Sequence, residues 1–189
     1  HYITAPLSQV NPRFFRMDFD HCSAPPDLKL PPSVIFVAKL WDPALTLPKY
    51  RPERELINNI RAETIRKLKN TFKDYFFGGV IPNDYARRYF PDCLVSDPQI
   101  TRFGNYIQKM RQYPIGVATT GLHNSIGWKF AEYVAFSHAV VSERLHYEAP
   151  GLIKETHYLE FTTPDECVEA VGRLMDDRLH RPPGTSENL

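Results

Sequence analysis

The chain has 189 residues, enough for one domain of ordinary size with extended ends. Hydrophobic residues make up 42% and charged residues 24%, the balance of a globular protein able to bury a core. Lys and Arg number 23 against 22 Asp and Glu, and the net charge of +1 excludes the broad basic field that drives nonspecific nucleic-acid binding.

Residues 1–32 carry Pro25-Pro26 and Pro31-Pro32 and read as an extended arm or interdomain linker. Phe14, Phe15 and Phe19 within it suggest that it packs on another surface, such as a second domain. Val34-Ile35-Phe36-Val37-Ala38 is a continuous apolar run whose length and β-branching predict a buried strand. Trp41-Asp42-Pro43 ends it, and a proline-rich loop follows to Pro52. Glu53 to Phe72 is predicted as a helix. Leu56, Ile57, Ile60, Ile65 and Leu68 lie near helical spacing, and Arg54, Arg61, Arg66 and Lys67 are assigned to its other faces.

Tyr75-Phe76-Phe77 reads as a second strand stopped by Gly78-Gly79. Asn83 is placed to cap a short helix through Arg88. Asp92-Cys93-Leu94-Val95 is a weak third strand, and Asp97-Pro98 opens a helix running to about Gln112. Ile115-Gly116-Val117-Ala118 is a strand, Thr119 to Gly127 a loop, and Trp128 to Phe136 a helix. Ala139-Val140-Val141 and Tyr158-Leu159-Glu160-Phe161 are the remaining strands. Thr163 caps a last helix from Pro164 to about Leu179, with Glu166 completing a capping box. Residues 180–189, with Pro182-Pro183-Gly184, are expected to be a disordered tail.

Strands alternating with helices predict an α/β fold over residues 33–179: a Rossmann-like parallel sheet with helices on both faces. Ligands of such sheets sit at the carboxyl ends of the strands, where the Thr119–Gly127 loop is expected. No apolar run approaches the roughly 20 residues of a membrane span. The start, His1-Tyr2-Ile3-Thr4, has neither the basic nor the apolar region of a signal peptide. A beginning without Met reads as an excised or processed chain. Cys22, Cys93 and Cys167 lie far apart and form no C-x-x-C pair, which suits structural thiols in a reducing, cytoplasmic compartment. No cluster of His residues points to a metal, and none is expected.

The segment from Thr119 to Ala135 carries the chemistry. Gly121, Ser125 and Gly127 let a ligand approach the backbone closely. The helix start that follows offers free N–H groups and a positive dipole end to phosphate. Lys129 and Glu132 are three apart, on one helical face near that end. A cation suits a diphosphate, and an acceptor-only carboxylate suits a ribose diol. Plainer readings stand beside these: Lys129 and Glu132 as a surface ion pair, His123 as a solvated histidine, the glycines as turn residues, Lys39 as a surface charge, and Trp41 and Trp128 as packing groups. From residue chemistry alone, the chain is an anion-binding α/β domain.

Asn124-Ser125-Ile126-Gly127-Trp128-Lys129-Phe130-Ala131-Glu132-Tyr133-Val134-Ala135, continued by Ser137-His138-Ala139-Val140-Val141, resembles the signature of the C-terminal domain of GT-B-fold, group-1-type glycosyltransferases. That signature reads Glu-x-x-Gly-x-x-x-x-Glu-Ala-x-Ala, followed by a small residue and an apolar strand. Phe36-Val37-Ala38-Lys39-Leu40 is similar to the domain's first strand, and His157 to Phe161 to its end. The resemblance implies one half of a GT-B fold binding a nucleotide-diphosphate sugar, with no metal and no other cofactor. It implies that Glu132 holds the donor ribose, that Gly127 stands at the helix start and that Lys39 faces the diphosphate. His123, Asn124, Ser125, Gly121 and Lys129 complete the implied donor site. Asn124 stands where the family has its first glutamate, the one that reaches toward the transferred sugar, and Tyr133 replaces an alanine. The acceptor site and any catalytic base would belong to an N-terminal domain or partner subunit, which this length does not contain. The resemblance leaves a peripheral association with a membrane open. The alternative is a non-catalytic α/β binding or interaction module derived from such a domain. A nucleotide-hydrolysing or response-regulator-like domain is disfavoured by the missing Gly-Lys-Ser/Thr pattern and acidic pocket.

Overall fold

The computed structural model describes residues 30–180. Most of the arm expected over 1–32 and all but the first residue of the tail expected over 180–189 lie outside the described residues, as does Cys22.

Five parallel strands form one sheet: β1 (Val34–Ala38), β2 (Phe76–Val80), β3 (Ile115–Ala118), β4 (Ala139–Glu143) and β5 (Tyr158–Phe161), in the order β2-β1-β3-β4-β5. The helices are α1 (Arg51–Phe72), α2 (Asp84–Tyr89), α3 (Phe103–Met110), α4 (Trp128–Ala135) and α5 (Pro164–His180). The Rossmann-like α/β expectation holds. The alternation of side chains along β1 divides the apolar core in two. Val34, Phe36 and Ala38 pack with Ala62, Ile65 and Leu68 of α1, Ala86 of α2, and Cys167, Ala170 and Val171 of α5. Ile35 and Val37 pack on the opposite face with Tyr106 and Met110 of α3 and Phe130 and Tyr133 of α4. Both faces of β1 are therefore covered, which is why its sequence is apolar throughout.

Several local expectations are corrected. Gly78 and Gly79 lie inside β2, paired with Phe36 and Val37. A Cβ on Gly78 would lie 2.1 Å from the Phe36 carbonyl oxygen, so this glycine allows close strand approach and does not stop the strand. The third strand expected at 92–95 is reduced to one parallel bridge, Val80 to Leu94, behind a 3-10 turn Pro91–Cys93. Pro91 has no N–H for a ladder and favours the turn. With that bridge counted, the order becomes the Rossmann 3-2-1-4-5-6 with its third strand nearly lost. The helix expected from 98 to 112 divides at Arg102, whose extended backbone separates a 3-10 turn, Pro98–Thr101, from α3. β4 runs two residues beyond the predicted strand and so includes Glu143.

The start of α5 follows its sequence closely. Thr163 Oγ1 accepts from the Glu166 N–H at 3.3 Å, and the Glu166 carboxylate accepts from the Thr162 N–H at 2.7 Å. Cys93 and Cys167 are free and buried; burial pushes the Cys93 thiol up to about 11 and raises Cys167 as well, so both act as core groups.

Gly116 sits where α4 meets β3. A Cβ there would lie 2.5 Å from the Tyr133 ring, and that ring is fully buried. Gly116→Ala should therefore lower unfolding free energy by about 1–3 kcal/mol, the usual cost of overpacking. Urea denaturation measures it, and an unchanged midpoint with unchanged slope would contradict the packing described.

Candidate functional site

The chain runs outward from β1 to β2, then returns to place β3 on the other side of β1. Such a reversal is the switch point at which open α/β sheets bind ligands. Here the split is visible in the ladder. β1 pairs with β2 as far as Ala38 and Val80, but with β3 only at Val34–Ile115 and Ile35–Gly116. Beyond those two pairs the strands part, and their carboxyl ends leave main-chain groups to be satisfied.

Arg61 satisfies them. Its Nη1 donates to the Lys39 carbonyl at 2.6 Å, its Nη2 to the Thr120 carbonyl at 2.8 Å, and its Nε to Thr119 Oγ1 at 2.9 Å. The residue is 7% exposed, and the Trp41 ring lies 4.4 Å from its Cζ. All three acceptors are uncharged. Burial lowers the guanidinium pKa to about 10, with the charge of Glu143 opposing the shift, so the group stays a cation at neutral pH.

Arg61 belongs to a polar row on α1. Asn58, fully buried, accepts from the Trp41 N–H at 3.0 Å and donates to the Trp41 carbonyl at 2.7 Å. Arg54 donates to the Asp42 carbonyl at 2.8 Å. Spaced at i, i+4 and i+7, these three side chains reach the loop after β1. Across the sheet, Glu143 at the end of β4 accepts from the Thr120 N–H at 2.8 Å and from its hydroxyl at 2.9 Å. The loop Thr119–Gly127 is thus held from α1 and from β4.

The residues singled out in the sequence fall on this rim as follows. Lys39 follows β1 directly, and Arg61 ties its carbonyl to the Thr119–Gly127 loop; the residue is exposed. Gly121 and Gly127 have ordinary negative φ. Their missing Cβ atoms leave room for the protein itself: a Cβ would lie 2.5 Å from Ser125 Oγ at Gly121 and 2.5 Å from the Thr119 carbonyl oxygen at Gly127. Leu122–Asn124 form a 3-10 turn in which His123 and Asn124 both have left-handed backbone, φ 59° and 55°. His123, Asn124 and Ser125 are exposed. The His123 N–H donates to Glu53 on α1, and its ring meets Tyr50 edge-on at 5.4 Å.

Gly127 precedes α4, whose N-terminus has no side-chain cap among the described residues. Trp128, the first residue of that helix, is 85% exposed. Lys129 and Glu132 are brought together as a 2.7 Å ion pair, and the Lys129 ammonium lies 3.5 Å from the centre of the Tyr106 ring. Burial lowers the Lys129 pKa while Glu132 raises it. This pair is closed on itself, so its charges largely cancel at a distance.

A cavity of about 570 Å³ opens between the loop after β1, the start of α1 and α2, lined by Asp42, Arg51, Glu55, Tyr85, Arg88 and Tyr89. Its size is that of a small-molecule site. None of the sequence-selected residues lines it. Among the described residues no group of three or more His, Cys, Asp or Glu is placed to hold a metal ion, and no helix is long and apolar enough to cross a membrane. Comparison with protein-family models and with curated proteins finds no match for the chain.

The sequence pattern puts Arg61 on the faces of α1 away from its apolar residues, whereas it is buried among them, and the pattern does not single out Glu143, Asn58 or Glu53. One signal for Arg61 was available. Ile57, Arg61, Ile65 and Leu68 form one helical stripe, and a charge inside an apolar stripe marks a buried, partnered group. Nothing comparable announced Glu143, which became visible only with the register of β4.

Arg61→Ala removes three hydrogen bonds and leaves two carbonyl oxygens unsatisfied. It should cost about 3 kcal/mol of stability. Arg61→Lys should recover only part of that loss, because an ammonium lacks the guanidinium fork. Chemical denaturation of the two variants tests both statements, and equal stability of wild type and Arg61→Ala would refute the bridging role.

Proposed function

We propose that the chain is the donor-binding domain of a glycosyltransferase, taking a nucleotide-diphosphate sugar at the carboxyl ends of β1 and β3. One observation carries the reading: a buried cation, Arg61, lies at the switch point bonded only to uncharged oxygens, beneath exposed Lys39 and next to the Thr119–Gly127 loop. A positive field at that point favours a diphosphate. The uncapped start of α4 adds N–H donors on the far side of the loop. The likeness of Asn124–Ala135 to the GT-B donor-domain signature supports the same ligand.

In this reading the chemistry is electrostatic. As the glycosidic bond breaks, negative charge grows on the departing diphosphate, and Lys39, the loop N–H groups and the field of Arg61 stabilise it. Glu132 orients the ribose through its carboxylate and takes no proton. A partner domain or subunit supplies the acceptor site.

A second reading, a non-catalytic interaction module, is favoured by two observations. Lys129 and Glu132 engage each other, and the carboxyl-end loops expose Leu45, Leu47, Trp128 and Tyr147. Exposed apolar groups gathered on one rim suit a protein partner.

A thermal-shift panel of nucleotides and nucleotide sugars separates the two, since a ligand selective for the folded state raises Tm. The donor reading expects a nucleoside diphosphate or its sugar to raise it, and silence across the panel sinks that reading. For the ligand found, Lys39→Ala and Glu132→Ala should each weaken binding about tenfold, the loss of one charge-assisted contact. Calorimetry on folded variants reads this directly.

A further inference from the structure

We propose that Glu53 is an internal stand-in for the ligand's phosphate, occupying the anion seat of the Thr119–Gly127 loop until the ligand displaces it. The inference rests on the donor-site reading and specifies how that site is kept when empty.

Glu53 lies in the first turn of α1, yet its side chain is only 27% exposed because it turns toward the loop. One carboxylate oxygen accepts the His123 main-chain N–H, and the other lies 3.7 Å from His123 Nδ1. The turn it holds is unusual in having two successive left-handed residues that are not glycine. Other loop N–H groups are used differently. Those of Gly121 and Ser125 bond to carbonyls within the loop itself, at 2.8 Å and 3.2 Å, and that of Thr120 bonds to Glu143. The His123 N–H alone among these is held by a partly exposed side chain from another helix. Releasing Glu53 leaves the 2.8 Å and 3.2 Å bonds of the turn in place.

A carboxylate and a phosphate are both acceptor-only anions at neutral pH and choose the same donors. They cannot share one N–H, and side by side they repel. An incoming diphosphate must therefore move Glu53 away. Wild-type affinity for the anion is lowered by that competition, while the empty loop is spared an unsatisfied N–H. Tyr50, edge-on to the His123 ring, and Tyr147, whose hydroxyl lies 3.5 Å from the His123 carbonyl, keep the turn in place when the carboxylate leaves.

The test uses the whole chain and inorganic pyrophosphate as the probe, with affinity read by calorimetry. Glu53→Gln keeps the shape and removes the charge. It should bind pyrophosphate about tenfold tighter than wild type, the difference between a charge-assisted and a neutral hydrogen bond to the seat. Glu63→Gln makes the same change in net charge at an exposed position further along α1 and should leave affinity unchanged. Lys39→Ala in the Glu53→Gln background should remove most of the gain. Wild type that binds while Glu53→Gln binds equally or more weakly overturns this inference and leaves the anion site standing. An equal gain in Glu63→Gln also overturns it, since the effect is then one of overall charge. Failure of both wild type and Glu53→Gln to bind overturns the anion site and this inference together. Should Glu53→Gln unfold, Glu53→Asp, with an arm one methylene shorter, must show a gain in its place, and no gain overturns the proposal.

Discussion

A guanidinium at the point where β1 and β3 separate sets the geometry of the whole carboxyl end. Burying a charge is expensive unless hydrogen bonds repay it. Here the acceptors arise from the topology itself. The ladder between β1 and β3 stops after Ile35 and Gly116, so the strand ends diverge, and the oxygens of Lys39, Thr119 and Thr120 face a common point. Arg61 reaches that point from α1 because the helix crosses the face that also buries Ala62, Ile65 and Leu68. The same burial that fixes α1 on the sheet thus fixes the guanidinium in the gap.

From this follows a division of labour along one helix. The later turns of α1 give apolar contact: Ile65 and Leu68 are buried in the core. The earlier turns give polar contact to loops, through Glu53, Arg54, Asn58 and Arg61. Loops that follow parallel strands carry unpaired main-chain groups, and a buried loop group without a partner is costly. A single rigid helix supplies partners to two such loops, after β1 and after β3, and so locks their relative positions. Glu143 closes the same loop from the β4 side through Thr120. The shape of this rim is therefore set by side chains that brace the two loops from α1 and β4.

The fold was largely readable because its signals are local. The apolar run of β1, the Asn83 cap of α2 and the Thr163–Glu166 box of α5 each act within a few residues. Misreadings came where distant contacts decide. Gly78 and Gly79 look like a stop, but Gly78 is accommodated against Phe36 of the neighbouring strand, which no local rule includes. Residues 92–95 have strand-like composition, but Pro91 and the 3-10 turn leave them one bridge. The candidate site obeys the same rule. The loop Thr119–Gly127 was legible from its small residues and its position before a helix. The groups that hold it, Arg61 and Glu143, come from elsewhere in the sequence and meet only through the strand order 2-1-3-4-5.

Charge then decides where on this rim an anion gains most. On the α4 side, Lys129 is matched by Glu132 at 2.7 Å and shielded against Tyr106, so an arriving anion would have to compete with a partner already in place. On the β1 side, Arg61 spends its hydrogen bonds on neutral oxygens, and among the described residues Lys39 forms no ion pair. The field of a buried cation is weakly screened by solvent, whereas an exposed one is screened by water and salt. In the proposed reading the stronger attraction lies toward β1, where Glu53 is held by a main-chain N–H and not by a cation, even though the more recognisable sequence motif lies toward α4. Glu143 tempers this field but is committed to Thr120 and cannot approach the guanidinium without releasing the loop. In the proposed reading, an anion seated between Lys39 and the loop would replace the Glu53 carboxylate beside a cation whose own hydrogen bonds go only to neutral oxygens.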